Sequence, residues 1–137
     1  MGAKEEKKSV FFAEVDGSAE PNPGPGGFGV YLEGGGKSWE RSKRLEYTTN
    51  NEAEYLALLE AVRMAKQHGA EKLVVQTDSQ LLFHQVRGEW RVREPRLRAL
   101  LEAVRKEAGS MSLEMRWVPR EQNARADRLS RKRKEEE

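Results

Sequence analysis

The six residues KLVVQT, Lys72–Thr77, constrain the fold more than any other stretch. A nearly continuous apolar run of this length reads as a central strand covered on both faces, so the chain must supply helices to either side of a sheet. It does. Upstream, Thr49 and Glu52 form an S/T-x-x-E capping box, and Tyr55, Leu58, Leu59, Val62 and Ala65 repeat at helical spacing until Gly69 ends the helix. Downstream lie the helical SQLLFHQV and a second helix that runs from Pro95, a favoured first-turn residue, to Gly109. SLEMRWV alternates as a last strand, and NARADRLSRK forms a short terminal helix. Before all of these, VFFAEVD (Val10–Asp16) is rich in β-branched and aromatic residues and is stopped by the turn formers GSAEPNPGPGG. FGVYLE and KSWERSKRLEY follow as second and third strands, making an antiparallel meander. Three strands, then helix and strand in alternation, predict an α/β fold with a mixed sheet flanked by helices.

At 137 residues and 36% hydrophobic content, one modest core and therefore one domain is expected, spanning residues 9–132. AKEEKK and RKRKEEE, within residues 1–8 and 133–137, read as frayed, solvated charge runs. Lys and Arg number 25 against 23 Asp and Glu, so the net charge of +2 matters less than where the charges sit. Cysteine is absent, which excludes disulfides and thiolate metal sites and suits a reducing cytoplasm. No run of eighteen apolar residues and no signal-peptide h-region occurs, so a soluble cytoplasmic protein is expected and membrane roles drop out.

The carboxylates carry the chemistry. Glu54 falls in line with Leu58, Ala61 and Ala65, the stripe of a helix that should face the core. Asp16 and Asp78 follow apolar strands, and Asp127 lies on the terminal helix. Each has a local role open to it: Asp78 as helix N-cap, Glu54 as a first-turn acid, Asp127 as the i+4 partner of Arg131, Asp16 as a turn former. Sheets with helical crossovers nevertheless collect sites outside the carboxyl ends of their strands, where Asp16 and Asp78 both belong. Acids packed there repel unless cations compensate them, and hard oxygen ligands without His or Cys suit Mg²⁺ or Mn²⁺.

DGSAEPNPGPGGFG, TTNNEAEY, TDSQLL and NARAD, in this order and over about nine tenths of the chain, resemble the signature blocks of type 1 ribonuclease H. The resemblance implies a D, E, D, D quartet at Asp16, Glu54, Asp78 and Asp127, acting as metal ligands and catalytic residues. It implies a five-stranded mixed sheet and hydrolysis of the RNA strand of an RNA/DNA hybrid by two Mg²⁺ ions, with Mn²⁺ as a substitute. The products would be a 5′-phosphate and a 3′-hydroxyl, and the enzyme a monomer.

The same matching extends to substrate contacts. Gly17, Ser18, Asn22, Thr49, Asn50, Asn51 and Gln80 fall at family positions facing the hybrid. Thr49 and Asn22 resemble residues that grip the DNA-strand phosphate, although Thr49 as a helix cap explains itself locally. VRGEWRVREPRLR sets five Arg against two Glu around Trp90, a backbone-binding patch that includes Arg91, or else a solvated face. One departure stands out: the histidine expected before the last aspartate is missing, and VPREQN offers Arg120 and Glu121. Glu121 is the nearest titratable group there, unless it merely pairs with Arg125 at i+4. His84 stays open between a structural and a substrate role, and His68 suits a helix end. Members with this form include some that also cleave double-stranded RNA, which leaves substrate breadth open.

Overall fold

The structure, a computed structural model, describes residues 9–132. Both charged termini read from the sequence, residues 1–8 and 133–137, lie outside the described residues. In chain order the elements are β1 (Val10–Ala19), β2 (Gly24–Gly34), β3 (Lys37–Thr48), α1 (Asn50–Gln67), β4 (Lys72–Thr77), α2 (Gln80–Val86), α3 (Pro95–Ala108), β5 (Ser112–Trp117) and α4 (Ala124–Ser130), with a 3₁₀ turn at Arg120–Gln122. The strands form one mixed sheet in the order β3-β2-β1-β4-β5. β1 pairs antiparallel with β2 and β2 with β3, whereas β1, β4 and β5 run parallel. β1 is the central strand; β4 is an inner strand between β1 and β5 and is buried as expected, with Leu73, Val74 and Val75 at 0–6% exposure.

Alternation along β1 sends Phe11, Ala13 and Val15 into the core with Tyr55, Leu58 and Val62 of α1. Glu14 and Asp16 point to the other face, where Arg125 and Ser130 of α4 meet them. The helices therefore cover opposite faces of the β1–β2 pair. The capping box forms as read: the Thr49 side chain accepts from Glu52 N–H, and Glu52 accepts from Thr49 N–H. Ser79, not Asp78, caps α2, through a 3.0 Å bond from Leu82 N–H, which leaves the Asp78 carboxylate free of a capping role.

The glycine-rich segment differs from its reading as a turn. β1 continues through Gly17–Ala19 and β2 begins at Gly24, with Gly17 opposite Phe28 and Ala19 opposite Gly26, so that only Glu20–Pro23 turn. Asp16 thus lies inside β1 rather than at its end. These glycines serve close approach more than turning: a Cβ on Gly17 would lie 2.3 Å from the Ala53 carbonyl carbon and 2.6 Å from Glu54 N. Gly17→Ala should push α1 off the sheet and cost about 1–3 kcal/mol, as overpacking does. Thermal melting checks this, and an unchanged midpoint would show that α1 has room to retreat.

Candidate active site

Parallel pairing of β1 with β4 stops at Glu14–Gln76, and the two strands part there. Asp16 stands two residues beyond that point on β1, and Asp78 directly follows β4. Glu54 enters from α1, over the surface that Gly17 leaves bare. Carboxylate oxygens of Asp16, Glu54 and Asp78 all lie within 4.8 Å of one another. Asp127 reaches the same cleft from α4, as do Gly17, Ser18, Asn50 and Arg120; the cleft measures about 270 Å³.

Electrostatics sort the four acids into two kinds. Burial, then the charges of Asp16 and Asp78, hold Glu54 well above the usual carboxylate range. Its Oε1 is buried without a hydrogen-bond partner among the described residues. Burial first, then Asp78 and a hydrogen bond toward Asp127, raise Asp16 to about 7. Asp78 is also raised, mainly by burial and against the pull of Arg120. Asp127 moves the other way: partial burial works to raise it, but the proton shared by Asp16 and the neighbouring Arg131 and Arg120 outweigh that and lower it. Arg131 Nε lies 3.1 Å and Arg120 Nη2 3.5 Å from Asp127 Oδ1. Asp127 thus lies below the usual carboxylate range beside three carboxylates raised above it.

Two residues that the sequence reading left out hold this arrangement. Asn123, fully buried, donates from Nδ2 to the Val15 carbonyl at 2.8 Å, and its own carbonyl accepts the Asp127 N–H at 3.1 Å. It therefore fixes α4 against the strand that carries Asp16. In the sequence it was only an asparagine before a short helix, where an N-cap is the ordinary reading, and its side chain makes no cap. Ser130 Oγ donates toward Asp16 Oδ2 at 3.1 Å, with the Asp127 carbonyl at 2.8 Å as its alternative acceptor. Arg131, read only as an ion-pair partner, lines the cleft itself.

The remaining candidates, Asn50 apart, lie outside the cleft lining. Asn22 Oδ1 accepts the Asn50 N–H at 3.0 Å, and Asn50 Oδ1 accepts the Ala19 N–H at 2.7 Å, so these amides lace the β1–β2 turn to the start of α1. Thr49 is occupied in the capping box, and Asn51 and Gln80 are exposed at the first turns of α1 and α2. Trp90 is 44% exposed and stacks on His84 with centroids 4.2 Å apart. Glu89 sits 2.6 Å from His84 Nδ1, while Arg91 is exposed beside them. His84 therefore braces the connection between α2 and α3, and His68 stacks on Trp39 at 3.9 Å as the C-cap of α1. The pairing of Glu121 with Arg125 read from spacing does not form. Arg125 turns to the buried Glu14, 2.5 Å away, where burial makes the charge pairing worth more than on the surface. Glu121 is exposed and makes no ion pair among the described residues.

A five-stranded mixed sheet with helices on both faces and acids where its parallel strands part defines the ribonuclease H-like class of α/β proteins. A family model described as reverse transcriptase-like matches residues 14–133. Ribonuclease HI of Halobacterium salinarum is 36% identical over 121 residues, or 86% of this chain and 61% of that protein. The crystal structure of RNase H1 from that archaeon has a TM-score of 0.83 at 34% identity, covering 88% of this chain and 94% of the other. LC11-RNase H1 in complex with an RNA/DNA hybrid has a TM-score of 0.79 at 34% identity, covering 88% and 93%. The N-terminal RNase H domain of a Mycobacterium tuberculosis protein, solved as a fusion with maltose binding protein, has a TM-score of 0.86 at 32% identity, covering 90% and 91%. The chain belongs to the type 1 ribonuclease H family. It spans 33% of the length of the full mycobacterial relatives it matches at 35% identity. Among the described residues, no helix is long and apolar enough to cross a membrane.

Proposed function

We propose that this chain is an endoribonuclease that hydrolyses the RNA strand of RNA/DNA hybrids with the help of divalent cations, leaving 5′-phosphate and 3′-hydroxyl ends. The observation that carries the reading is the buried, unpartnered Glu54 Oε1 beside Asp16 and Asp78, because an uncompensated carboxylate there calls for a cation. Asp16, Glu54 and Asp78 would hold the ions, with Asp127 at the margin, and oxygen donors alone suit Mg²⁺, with Mn²⁺ as its substitute. Two such ions, when bound, would supply a water of lowered pKa and would stabilise charge on the leaving oxygen.

The chain's own residues supply the rest. Arg120 and Arg131 bring positive charge to an otherwise acidic cleft, which favours a phosphate over a neutral ligand. Ser18 and Asn50 offer donors and acceptors at the same wall, where a ribose edge bearing a 2′-hydroxyl can be recognised. The positive end of the α1 dipole, near Thr49, favours a second phosphate, and Asn22, Asn51 and Gln80 flank that approach. Trp90 and Arg91 present a ring and a cation for a strand running past α2. Residues 9–132 act as the functional domain, a monomer of the reducing cytoplasm.

A labelled-strand assay with Mg²⁺ and Mn²⁺ tests the reading on RNA/DNA, RNA/RNA and DNA/DNA duplexes. Cleavage confined to the RNA strand of the hybrid is the expected result, cutting of RNA/RNA would widen the substrate, and cutting of the DNA strand would defeat the reading. Arg120 and Glu121 should separate in the same assay. Arg120 lines the cleft, so Arg120→Ala should raise KM and lower the salt slope of binding by about 0.9, the amount expected for one phosphate contact. Glu121 faces solvent outside the cleft, so Glu121→Gln should leave the pH–rate profile unchanged. A profile altered where Glu121 ionises would instead make it a proton carrier.

A further inference from the structure

A second hollow, of about 190 Å³, lies beside the acidic cleft and is bounded by Ser18, Glu20, Pro25, Gly26, Arg44 and Arg131. Ser18, Glu20 and Arg131 line both, so the two share a wall. Their linings differ: the cleft gathers the four acids of the cluster, whereas the lining of the hollow holds two guanidiniums, Arg44 and Arg131, and one carboxylate, Glu20. Glycine makes the hollow possible. A Cβ on Gly26 would fall 2.2 Å from the Ser18 carbonyl, and one on Gly27 would fall 2.7 Å from Arg44 Nη1. With neither present, Arg44 reaches from β3 across β2 and donates from Nη1 to the Ser130 carbonyl at 3.2 Å. Arg131 is steadied from the other side by Asp127. Two cations from separate elements are thereby brought to one small concavity with room for a phosphate group.

We propose that this hollow is a phosphate subsite for the cleaved strand, taking the phosphodiester next to the one at the acid cluster through Arg44, Arg131 and the Ser18 hydroxyl. The inference rests on the hybrid-cleaving reading above. Its strand assignment follows from the shared wall. A strand with one phosphate at the acids carries its next phosphate one nucleotide away, the short step that two hollows sharing a wall require. Guanidinium forks suit phosphate oxygens, and a serine hydroxyl adds a neutral donor.

Arg44→Gln tests it, since glutamine keeps an N–H for the Ser130 carbonyl but removes the charge. On a hybrid with one cleavable ribonucleotide linkage, KM should rise about three- to tenfold with kcat within twofold, and the salt slope should fall by about 0.9. Arg44→Lys should recover part of the loss. A single methylphosphonate, which neutralises one phosphate, should weaken wild-type binding at one of the two positions flanking the cleavable linkage and leave Arg44→Gln indifferent. Wild-type KM and slope in Arg44→Gln overturn the subsite, as does sensitivity to neutralisation only in the DNA strand. If Arg44→Gln does not fold, the methylphosphonate series on the wild-type protein decides alone. Wild-type protein that leaves every hybrid intact defeats the cleavage reading itself, whereas cleavage with an indifferent Arg44 defeats only the subsite.

Discussion

Asp16→Asn and Asp78→Asn are each expected to lower cleavage of a hybrid roughly a thousandfold while the dissociation constant for the hybrid stays within about threefold. A thousandfold corresponds to about 4 kcal/mol at 1.36 kcal/mol per factor of ten, within the several kcal/mol that a cation contributes to charge stabilisation. Both substitutions are nearly isosteric. Ser130 Oγ can still donate to the remaining oxygen of residue 16, and the backbone at residue 78 stays tied by the Trp117 indole N–H, 3.1 Å from the Asp78 carbonyl. What each removes is the negative charge that draws a cation to the cleft. On the proposed reading the groove contacts fall on other residues, Asn22, Asn50 and the arginines, so binding should survive. The measurement is single-turnover cleavage alongside fluorescence anisotropy of a labelled hybrid in Ca²⁺. Near-wild-type turnover in either purified variant would remove that acid from the chemistry, and a parallel collapse of binding would mean that the cluster positions substrate instead.

The sequence made Glu54 legible because an acid on a buried stripe breaks the helix pattern, and a break of that kind needs a reason. Asp78 was legible from the end of an apolar strand. Asp16 was placed at a strand end for the same reason, and it lies inside β1 because the glycines after it pair across the sheet instead of turning. Turn propensity lost there to tertiary packing: α1 and α4 press so closely on β1 and β2 that only glycine fits, and a bare strand reads from sequence like a loop. The long-range pairs were the least legible. Glu14 with Arg125, Asn123 with Val15 and Ser130 with Asp16 join residues more than a hundred positions apart, and local spacing carries no trace of such partners. For Arg125 it pointed to Glu121, one turn away, because on the sequence alone an i+4 neighbour is always nearer than a strand across the fold.

Metal-free Asp16→Asn should melt higher than the wild-type protein at neutral and alkaline pH, by on the order of 5 °C, and the gain should vanish near pH 4. The sign follows from the direction of the shift. Asp16 is raised from 3.8 to about 7 in the fold, chiefly by burial and then by Asp78. Its protonated form is therefore the one the fold favours. Below about pH 4 the carboxyl is protonated whether the chain is folded or not, and it contributes no difference between wild type and variant. As pH rises from there the unfolded chain releases the proton while the fold retains it, so wild-type stability falls until Asp16 itself ionises near 7, and then levels off. Asparagine never ionises and removes that slope. The control is the difference between the two melting temperatures across pH 4 to 8.5 in EDTA, since titrations elsewhere in the molecule cancel in it. Saturating Mg²⁺ should reverse the order, because a cation bound only by the folded wild type stabilises it by mass action and the variant loses that site. A difference that stays flat with pH, or one that favours wild type in EDTA, would mean that the three carboxylates are not packed tightly enough to repel, and the case for a cation at Glu54 would go with it.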